Sequence, residues 1–183
     1  MTPIQLDVLK QFRDLRVRYL VVGGQAMRAH GIDRQTRDLD LWVARDRANA
    51  IALTKFMRRV QNLPPLERLQ KPNFKFTVGN PENPDVDILT SVAGDPDFDD
   101  TITRCQRLML ETRRVPVVGI ADLINIKEAA AAKMESEAAD PALADADRVQ
   151  AAATAVKERR DIFILQAFST AHDLGGHDHA RLA

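Results

Sequence analysis

The chain has 183 residues, of which 45% are hydrophobic and 28% are charged, and its formal net charge is zero. This length fits one domain, or a domain with a helical extension, and it can bury a core. Zero net charge gives no electrostatic reason to expect generic DNA binding, and no apolar run approaches the ~20 residues that a bilayer needs. The single cysteine, Cys105, excludes an internal disulfide and is typical of a reducing cytoplasm, where we expect the protein.

The first part of the chain alternates predicted helices and strands. Thr2-Pro3 is typical of an N-cap followed by proline at the first helical position, and apolar side chains then recur at helical spacing. The pattern predicts a helix over 3–16, a strand over 18–22, a helix over 24–30, a strand over 37–43 and a helix over 45–60. Gly31 and Pro64-Pro65 are the expected breaks after the second and third helices.

The later part predicts more strands and then helices only. Strands are expected over 74–78 and 85–89 and as a pair within 108–118, followed by a helix from Ile120 and another over 147–171. Asp140-Pro141 separates the two helices, and Ile162, Leu165, Phe168 and Phe163 are candidates for burial. We therefore expect an α/β fold in which residues 1–119 form a short mixed sheet flanked by helices. Residues 120–183 would form a helical extension packed on that core, with a loose tail from Gly175.

Two carboxylates lie one residue apart in Asp38-Leu39-Asp40-Leu41. Residues i and i+2 of a strand point to the same face, so Asp38 and Asp40 are predicted to project together. Neighbouring carboxylates raise each other's pKa unless a cation sits between them. A divalent metal would resolve this conflict, whereas the alternative is an edge strand with its acids in solvent.

A glycine pair precedes these carboxylates. The apolar strand that begins at Tyr19 runs into Gly23-Gly24, and a helix is predicted to follow. Glycine lets the backbone approach a ligand closely, and a helix N-terminus offers free N–H groups to phosphate. A tight turn that simply needs glycine is the alternative, but together with the carboxylates the pair favours phosphate chemistry on a metal.

Val22-Gly23-Gly24 followed by Asp38-Leu39-Asp40-Leu41 resembles the signature of the nucleotidyltransferase superfamily. The intervening residues, including Arg34 and Thr36, are similar to the minimal nucleotidyltransferase and AbiEii-like branch of bacterial defence and toxin–antitoxin loci. The resemblance is best over residues 18–43 and weaker over 84–128. It implies a nucleotidyltransferase fold that binds an NTP such as ATP and uses Mg²⁺ or Mn²⁺. It also implies nucleotide-binding roles for Gly23, Gly24, Arg34 and Thr36.

The family pattern places a third carboxylate on a neighbouring strand. Asp87 lies in the apolar run Val86-Asp87-Ile88-Leu89, where an unpaired charge would be costly. Asp85 would share its face and is the competing residue, although it follows Pro84 at the start of the strand. The resemblance thus implies that Asp38, Asp40 and Asp87 are the catalytic and metal-binding residues.

The C-terminal helices carry two weaker matches. Lys127 resembles a lysine that contacts the triphosphate in many of these proteins, and the alternative is a solvated helix lysine. Arg160-Asp161 resembles a basic–acidic pair on the following helix, although residues 134–150 look like an insertion between them. The His177-Asp178-His179 tail is interpreted as loose rather than metal-binding. Ser91, Thr36 and the histidines form no defensible triad, and Cys105 is interpreted as a packing residue.

Basic residues are concentrated near the N-terminus, where residues 1–60 hold twelve lysines and arginines against six acids. Solvated faces are the usual explanation, and the sharper hypothesis is a basic rim of Arg28, Arg34 and Arg37 around a metal–triphosphate site. The acceptor would be a partner protein or tRNA rather than an antibiotic. The alternatives are a catalytically silent, antitoxin-like interaction protein and a nucleic-acid-binding regulator. Neutral charge and few aromatic residues disfavour the regulator. The oligomeric state is not indicated.

Overall fold

The computed structural model describes residues 1–60, 64–80 and 83–175. The chain divides into two compact units, Met1–Gly119 and Ile120–Ala183. The first unit contains a six-stranded sheet with helices against it, and the described part of the second unit is helical. The α/β class, with a mixed sheet flanked by helices and with C-terminal helices, is therefore confirmed.

The sheet of the first unit combines parallel and antiparallel pairs. Its strands are β1 (Tyr19–Val22), β2 (Leu39–Val43), β3 (Lys75–Asn80), β4 (Asn83–Leu89), β5 (Gln106–Leu110) and β6 (Arg113–Val117). They lie in the order β3-β4-β2-β1-β6-β5. The β1/β6 and β2/β4 pairs are parallel and the remaining pairs are antiparallel. This order places side by side the two strands that contain the predicted carboxylate motifs, β2 and β4.

The helices of the first unit follow the sequence pattern closely. They are α1 (Pro3–Asp14), α2 (Gly23–Ala29), α3 (Arg47–Met57, with a 3-10 turn at Arg58–Val60), α4 (Leu66–Leu69) and α5 (Phe98–Thr103). At the start of α1, Gln5 N donates to the Thr2 hydroxyl while the Gln5 side chain accepts from Thr2 N. This capping box, with Pro3 at the first helical position, confirms the predicted start. Helix α4 was not anticipated.

The core of this unit is built around β1 and β2. Phe12 of α1 makes edge contacts with Tyr19 and Phe56, at ring-centroid distances of 5.4 and 5.1 Å. The predicted inner face of α3 is buried at Leu53, Phe56 and Met57. Leu39 and Leu41 of β2 are also fully buried. Because the inner strands are held by packed side chains on helices, the positions of the residues at their ends are fixed.

The second unit contains α6 (Ile120–Ala139) and α7 (Asp145–Gly175), which pack on each other. The helices are separated at Asp140-Pro141, as predicted. Ile162 and Leu165 are buried and Phe168 is half-buried, whereas Phe163 is 71% exposed, so its predicted burial is wrong. Phe163 follows Ile162 by one residue, which turns it about 100° around the helix and away from the buried stripe.

Several predicted boundaries differ from the structure. Strand β2 begins at Leu39, so Asp38 lies just before the strand rather than within it. The predicted break at Pro64-Pro65 adjoins residues 61–63, and the connection between the strands predicted over 74–78 and 85–89 includes residues 81 and 82. Residues 61–63, 81 and 82 lie outside the described residues. The tail with His177-Asp178-His179 also lies outside them. Within the described residues, no helix is both long enough and apolar enough to cross a bilayer.

Candidate functional site

Three carboxylates meet where the start of β2 lies beside β4. The two strands pair in parallel with Asp40 opposite Asp87, and Asp38 directly precedes β2. One carboxylate oxygen from each of Asp38, Asp40 and Asp87 lies within 4.8 Å of the others. Asp87 is 4% exposed, while Asp38 and Asp40 are half-buried. The structure thus brings together the three residues selected from the sequence.

Gly23 lies directly against this cluster. Strand β1 pairs antiparallel with β2 so that Val22 faces Asp40, and Gly23 follows with φ of +64°. A Cβ at Gly23 would lie 2.1 Å from Asp40 Oδ2, which is far inside contact distance. Both the positive φ and the close approach require glycine here. The first glycine of the pair therefore makes room for a carboxylate of the cluster.

Gly24 makes room for Thr36. A Cβ at Gly24 would lie 2.7 Å from both Cβ and Oγ1 of Thr36. The Thr36 hydroxyl donates a 2.9 Å hydrogen bond to Asp38 Oδ1. Thr36, which the resemblance implied as a nucleotide-binding residue, therefore orients Asp38 in this structure. The glycine pair packs the segment before β2 against α2.

Sequence reasoning missed two residues of β3 that contact Asp87. The Thr77 hydroxyl donates to Asp87 Oδ1 at 2.9 Å, and Lys75 Nζ lies 2.7 Å from Asp87 Oδ2. The signal for them was the alternation of Lys75 and Thr77 along a predicted strand, which puts both side chains on one face. Finding them required knowing that β3 pairs antiparallel with β4 and places Thr77 opposite Asp87.

Gln5 is a further residue that sequence reasoning did not select for the site. Its side chain is fully buried, and Nε2 donates to the carbonyl oxygens of Arg37 at 2.6 Å and Asp85 at 2.8 Å. These two carbonyls precede Asp38 and Asp87 by one and two residues. Gln5 thus holds the segments that carry both carboxylates. A glutamine on the apolar face of α1 was the available signal, since buried polar groups are normally hydrogen-bonded.

Asp85, the competitor of Asp87, does not belong to the carboxylate cluster of the described residues. Its side chain lies against Gly79, where an added Cβ would be 2.4 Å from Asp85 Oδ2. Gly79 has φ of +106° and sits at a register shift between β3 and β4. Asp85 therefore occupies the irregular end of this hairpin.

The remaining basic residues predicted for the site are placed as follows. Arg28 and Arg37 are exposed, and Arg34 is half-buried with its guanidinium donating to the Gln35 carbonyl. In the second unit, Lys127 Nζ bonds Glu158 Oε2 at 2.7 Å and Asp161 Oδ2 at 2.8 Å. Lys127 and Asp161 are both buried. The ammonium of Lys127 is thus engaged by two carboxylates, and its triphosphate role stays a prediction.

The electrostatics of the cluster favour binding of a divalent cation. Three carboxylates lie close together, and the described cation bonded to Asp87 is Lys75, whose side chain is 56% exposed. Mutual repulsion of the carboxylates is relieved by a divalent ion between them. An all-oxygen donor set suits Mg²⁺ or Mn²⁺ rather than the softer metals that favour sulfur. The residues present therefore fit such an ion.

Comparison with known proteins finds similarity to solved structures. No protein-family model matches the chain, and no curated protein matches it. The solution structure of the antibiotic-resistance factor ANT(2'')-Ia aligns over 97% of this chain and 95% of its own, with 13% sequence identity and a TM-score of 0.46. A similarity at this level assigns neither a family nor an activity to this chain.

Proposed function

We propose that this protein is a metal-dependent nucleotidyltransferase, which moves a nucleoside monophosphate from an NTP to a hydroxyl acceptor and releases pyrophosphate. The observation that carries the proposal is the meeting of Asp38, Asp40 and Asp87 beside Gly23. Carboxylates crowded on adjacent strands cost stability unless a cation is bound there. A glycine whose missing side chain admits one of them is consistent with a site selected for chemistry.

The residues of the chain have distinct roles in this proposal. Asp38, Asp40 and Asp87 would hold Mg²⁺ or Mn²⁺, which when bound would neutralise the triphosphate and lower the pKa of the acceptor hydroxyl. Thr36 orients Asp38 through its hydroxyl, and Thr77 orients Asp87. The cluster would then position the α-phosphorus and acceptor in line, since phosphoryl-transfer catalysis consists largely of positioning and charge stabilisation.

The nucleotide and acceptor belong to the same proposal. Gly23, Gly24 and Arg34 are the proposed triphosphate neighbours in the first unit, and Lys127 is the proposed one in the second. A partner protein or tRNA in the cytoplasm is the proposed acceptor, as the AbiEii-like resemblance implies. The bulk of either acceptor requires that one side of the carboxylate cluster remain open.

A catalytically silent interaction protein is the second candidate, and one contact favours it. Lys75 bonds Asp87 at 2.7 Å and thereby supplies a positive charge to the cluster without a metal. A silent protein could retain its carboxylates in this way. In an enzyme, by contrast, the ammonium of Lys75 must move away from Asp87 when the ion and the triphosphate bind. Breaking this ion pair costs little free energy, because the Lys75 side chain is largely exposed to solvent.

Transfer to cell components tests the proposal directly. The purified protein is incubated with each α-labelled NTP, Mg²⁺ and a lysate of the source cells, and the products are digested with ribonuclease or protease. Asp87→Asn is the test variant. Asp85→Asn is the matched control, because it removes a charge from the same strand outside the cluster.

The expected result is label on RNA or on protein with wild type and Asp85→Asn, and none with Asp87→Asn or with EDTA. Label on neither class of acceptor, with any NTP, would favour the silent protein. Equal labelling by Asp87→Asn would show that the cluster does not support the transfer.

A further inference from the structure

A second candidate site lies near the start of β1, whereas the carboxylate cluster lies near the end of β1. A cavity of about 520 Å³, here called the arginine cavity, is lined by six arginines: Arg13, Arg16, Arg18, Arg107, Arg113 and Arg114. Tyr19, at the start of β1, also lines it, while Val22, at the end of β1, faces Asp40. Three residue steps of β1, from Tyr19 to Val22, therefore separate the two sites along the strand, a Cα distance of about 10 Å.

The positive charge of this cavity is only partly balanced. None of its lining residues is acidic. Arg13 pairs with Asp14, and Arg18 pairs with Asp46 and Asp99. Within residues 1–60, 64–80 and 83–175, no carboxylate pairs with the other four arginines, which are Arg16, Arg107, Arg113 and Arg114. A ligand with several negative charges would balance them.

Two details of individual arginines indicate a binding role. Arg113 Nε is buried without a hydrogen-bond acceptor among the described residues, and such donors are rare and costly. Arg16 has φ of +56° at the end of α1, where Val17 N bonds the Phe12 carbonyl. This position normally takes glycine. An arginine there adopts a backbone conformation that L side chains rarely take, and its side chain lines the cavity.

The rest of the wall is mostly apolar, with two hydroxyl-bearing residues, Tyr19 and Thr112. Leu9, Phe12, Val17 and Val115 line the cavity together with the Tyr19 ring. Burial raises the pKa of Tyr19 to about 12, although Arg107, Arg113 and Arg13 act to lower it, so the phenol remains a hydrogen-bond donor at neutral pH. The volume and the apolar wall are typical of a site for a small organic molecule rather than for a bare ion.

We propose that the arginine cavity binds a small organic polyphosphate, with its phosphates on the unpaired arginines and its planar or apolar body against Phe12, Tyr19 and Val115. Guanidinium groups bind phosphate oxygens in a bidentate manner, and four such groups match the charge of a di- or triphosphate. This site needs no metal and is separate from the carboxylate cluster. Three basic residues of the N-terminal segment, Arg13, Arg16 and Arg18, line it.

Calorimetric titration with ADP in EDTA tests this proposal, since the chelator removes any metal-dependent binding. The test variants are Arg107→Gln/Arg114→Gln and Arg16→Gly. Arg58→Gln is the matched charge control, because Arg58 is exposed and does not line the cavity. Asp40→Asn/Asp87→Asn reports on the carboxylate cluster. Pyrophosphate and a single-stranded RNA oligomer are titrated in parallel.

The expected result is one ADP per chain, bound about tenfold or more weakly by Arg107→Gln/Arg114→Gln and unchanged in the Arg58 and aspartate variants. Arg16→Gly is expected to bind ADP more weakly and yet to melt at a higher temperature, which a purely structural arginine would not do. ADP is expected to bind more tightly than pyrophosphate, because only ADP has a body that contacts the apolar wall.

The proposal would be overturned by absence of ADP binding at millimolar concentration, or by an equal loss in Arg58→Gln. Loss confined to the aspartate variants would assign the binding to the carboxylate cluster. Pyrophosphate binding as tight as ADP would reduce the cavity to an anion site without a role for its wall. RNA that displaces ADP and binds far more tightly would identify a nucleic-acid surface instead.

Discussion

At the residue scale, the carboxylate cluster is defined by close approach. Asp40 Oδ2 occupies the space in which any side chain at Gly23 would begin, and Thr36 occupies the space beside Gly24. Thr36 and Thr77 each donate to one carboxylate of the cluster, which fixes the orientation of Asp38 and Asp87. Oriented, crowded carboxylates are pre-organised for a cation, because the repulsion among them is present before the cation arrives.

Substituting Gly23 by alanine is expected to disrupt the site as well as the backbone. Gly31→Ala is the control, since Gly31 also has positive φ, at +90°, but nothing lies within 4 Å of an added Cβ. The control should lose about 1 kcal/mol of unfolding free energy from strain alone. Gly23→Ala should lose more and should also abolish Mn²⁺ binding. Urea unfolding and calorimetry measure both, and equal behaviour of the two variants would refute the close-approach argument.

Lys75 is expected to compete with the metal for Asp87. Lys75→Gln should strengthen Mn²⁺ binding, because it removes the ammonium bonded to Asp87 Oδ2. The side chain is largely exposed, so the pair contributes at most ~1 kcal/mol and the gain in affinity should not exceed about fivefold. Isothermal titration with Mn²⁺ checks this. An unchanged or weaker affinity would mean that Lys75 does not oppose the ion.

At the element scale, α1 holds the cluster from outside the sheet. The α1 residue Gln5 bonds the carbonyls that precede Asp38 and Asp87, so one side chain sets the relative position of the N-terminal parts of β2 and β4. The capping box fixes the start of the helix and the rotamer of the same glutamine. Gln5 is thus a single buried residue that both bonds the segments carrying the carboxylates and takes part in the cap of α1.

Gln5→Ala should therefore destabilise the fold by about 2 kcal/mol or more, since it leaves two carbonyl oxygens without their donor. Gln11→Ala on the same helix is the control, because Gln11 bonds Asp7 at the surface and should change stability by less than about 0.5 kcal/mol. Denaturant unfolding compares them. Hydrogen exchange should increase at the start of β2 and β4 only in Gln5→Ala, and its absence there would contradict the linking role.

In the second unit, α6 and α7 are joined through Lys127, which bonds Glu158 and Asp161. Lys127→Met should destabilise the protein by about 3–5 kcal/mol, because it removes a buried cation that bonds two carboxylates. Lys133→Met, which removes an exposed lysine of the same helix, should cost little. Thermal unfolding distinguishes them. A stable Lys127→Met protein with weaker NTP binding would instead support the triphosphate contact implied by the sequence.

Local patterns predicted most elements, whereas contacts between elements were harder to predict. The proline at the start of α1, the helical spacing of α3 and the Asp140-Pro141 break are signals that a short segment contains in itself. Lys75, Thr77 and Gln5 reach the site through strand order and register, which depend on packing across the whole unit. Phe163 was misplaced because one residue of helix rotation separates a buried face from an exposed one.

At the scale of the whole molecule, zero net charge conceals a strong separation within the first unit. Carboxylates gather where β1 ends, and arginines gather where it begins. The two clusters are different in kind: three close carboxylates favour a divalent ion, and unpaired guanidiniums favour phosphate. The net charge of zero is a sum over the whole chain, both clusters included, so the separation becomes visible only when the sheet topology is known.

The most direct test of the central claim is an electron paramagnetic resonance titration of Mn²⁺ in the presence of each NTP. Wild type and Asp85→Asn are expected to remove free Mn²⁺ from solution as a protein–nucleotide–metal complex. Asp40→Asn and Asp87→Asn should weaken this complex by about tenfold or more, because each removes a metal-binding carboxylate. Equal Mn²⁺ uptake by all four proteins would place the ion elsewhere and contradict the assignment of Asp38, Asp40 and Asp87 as a metal centre.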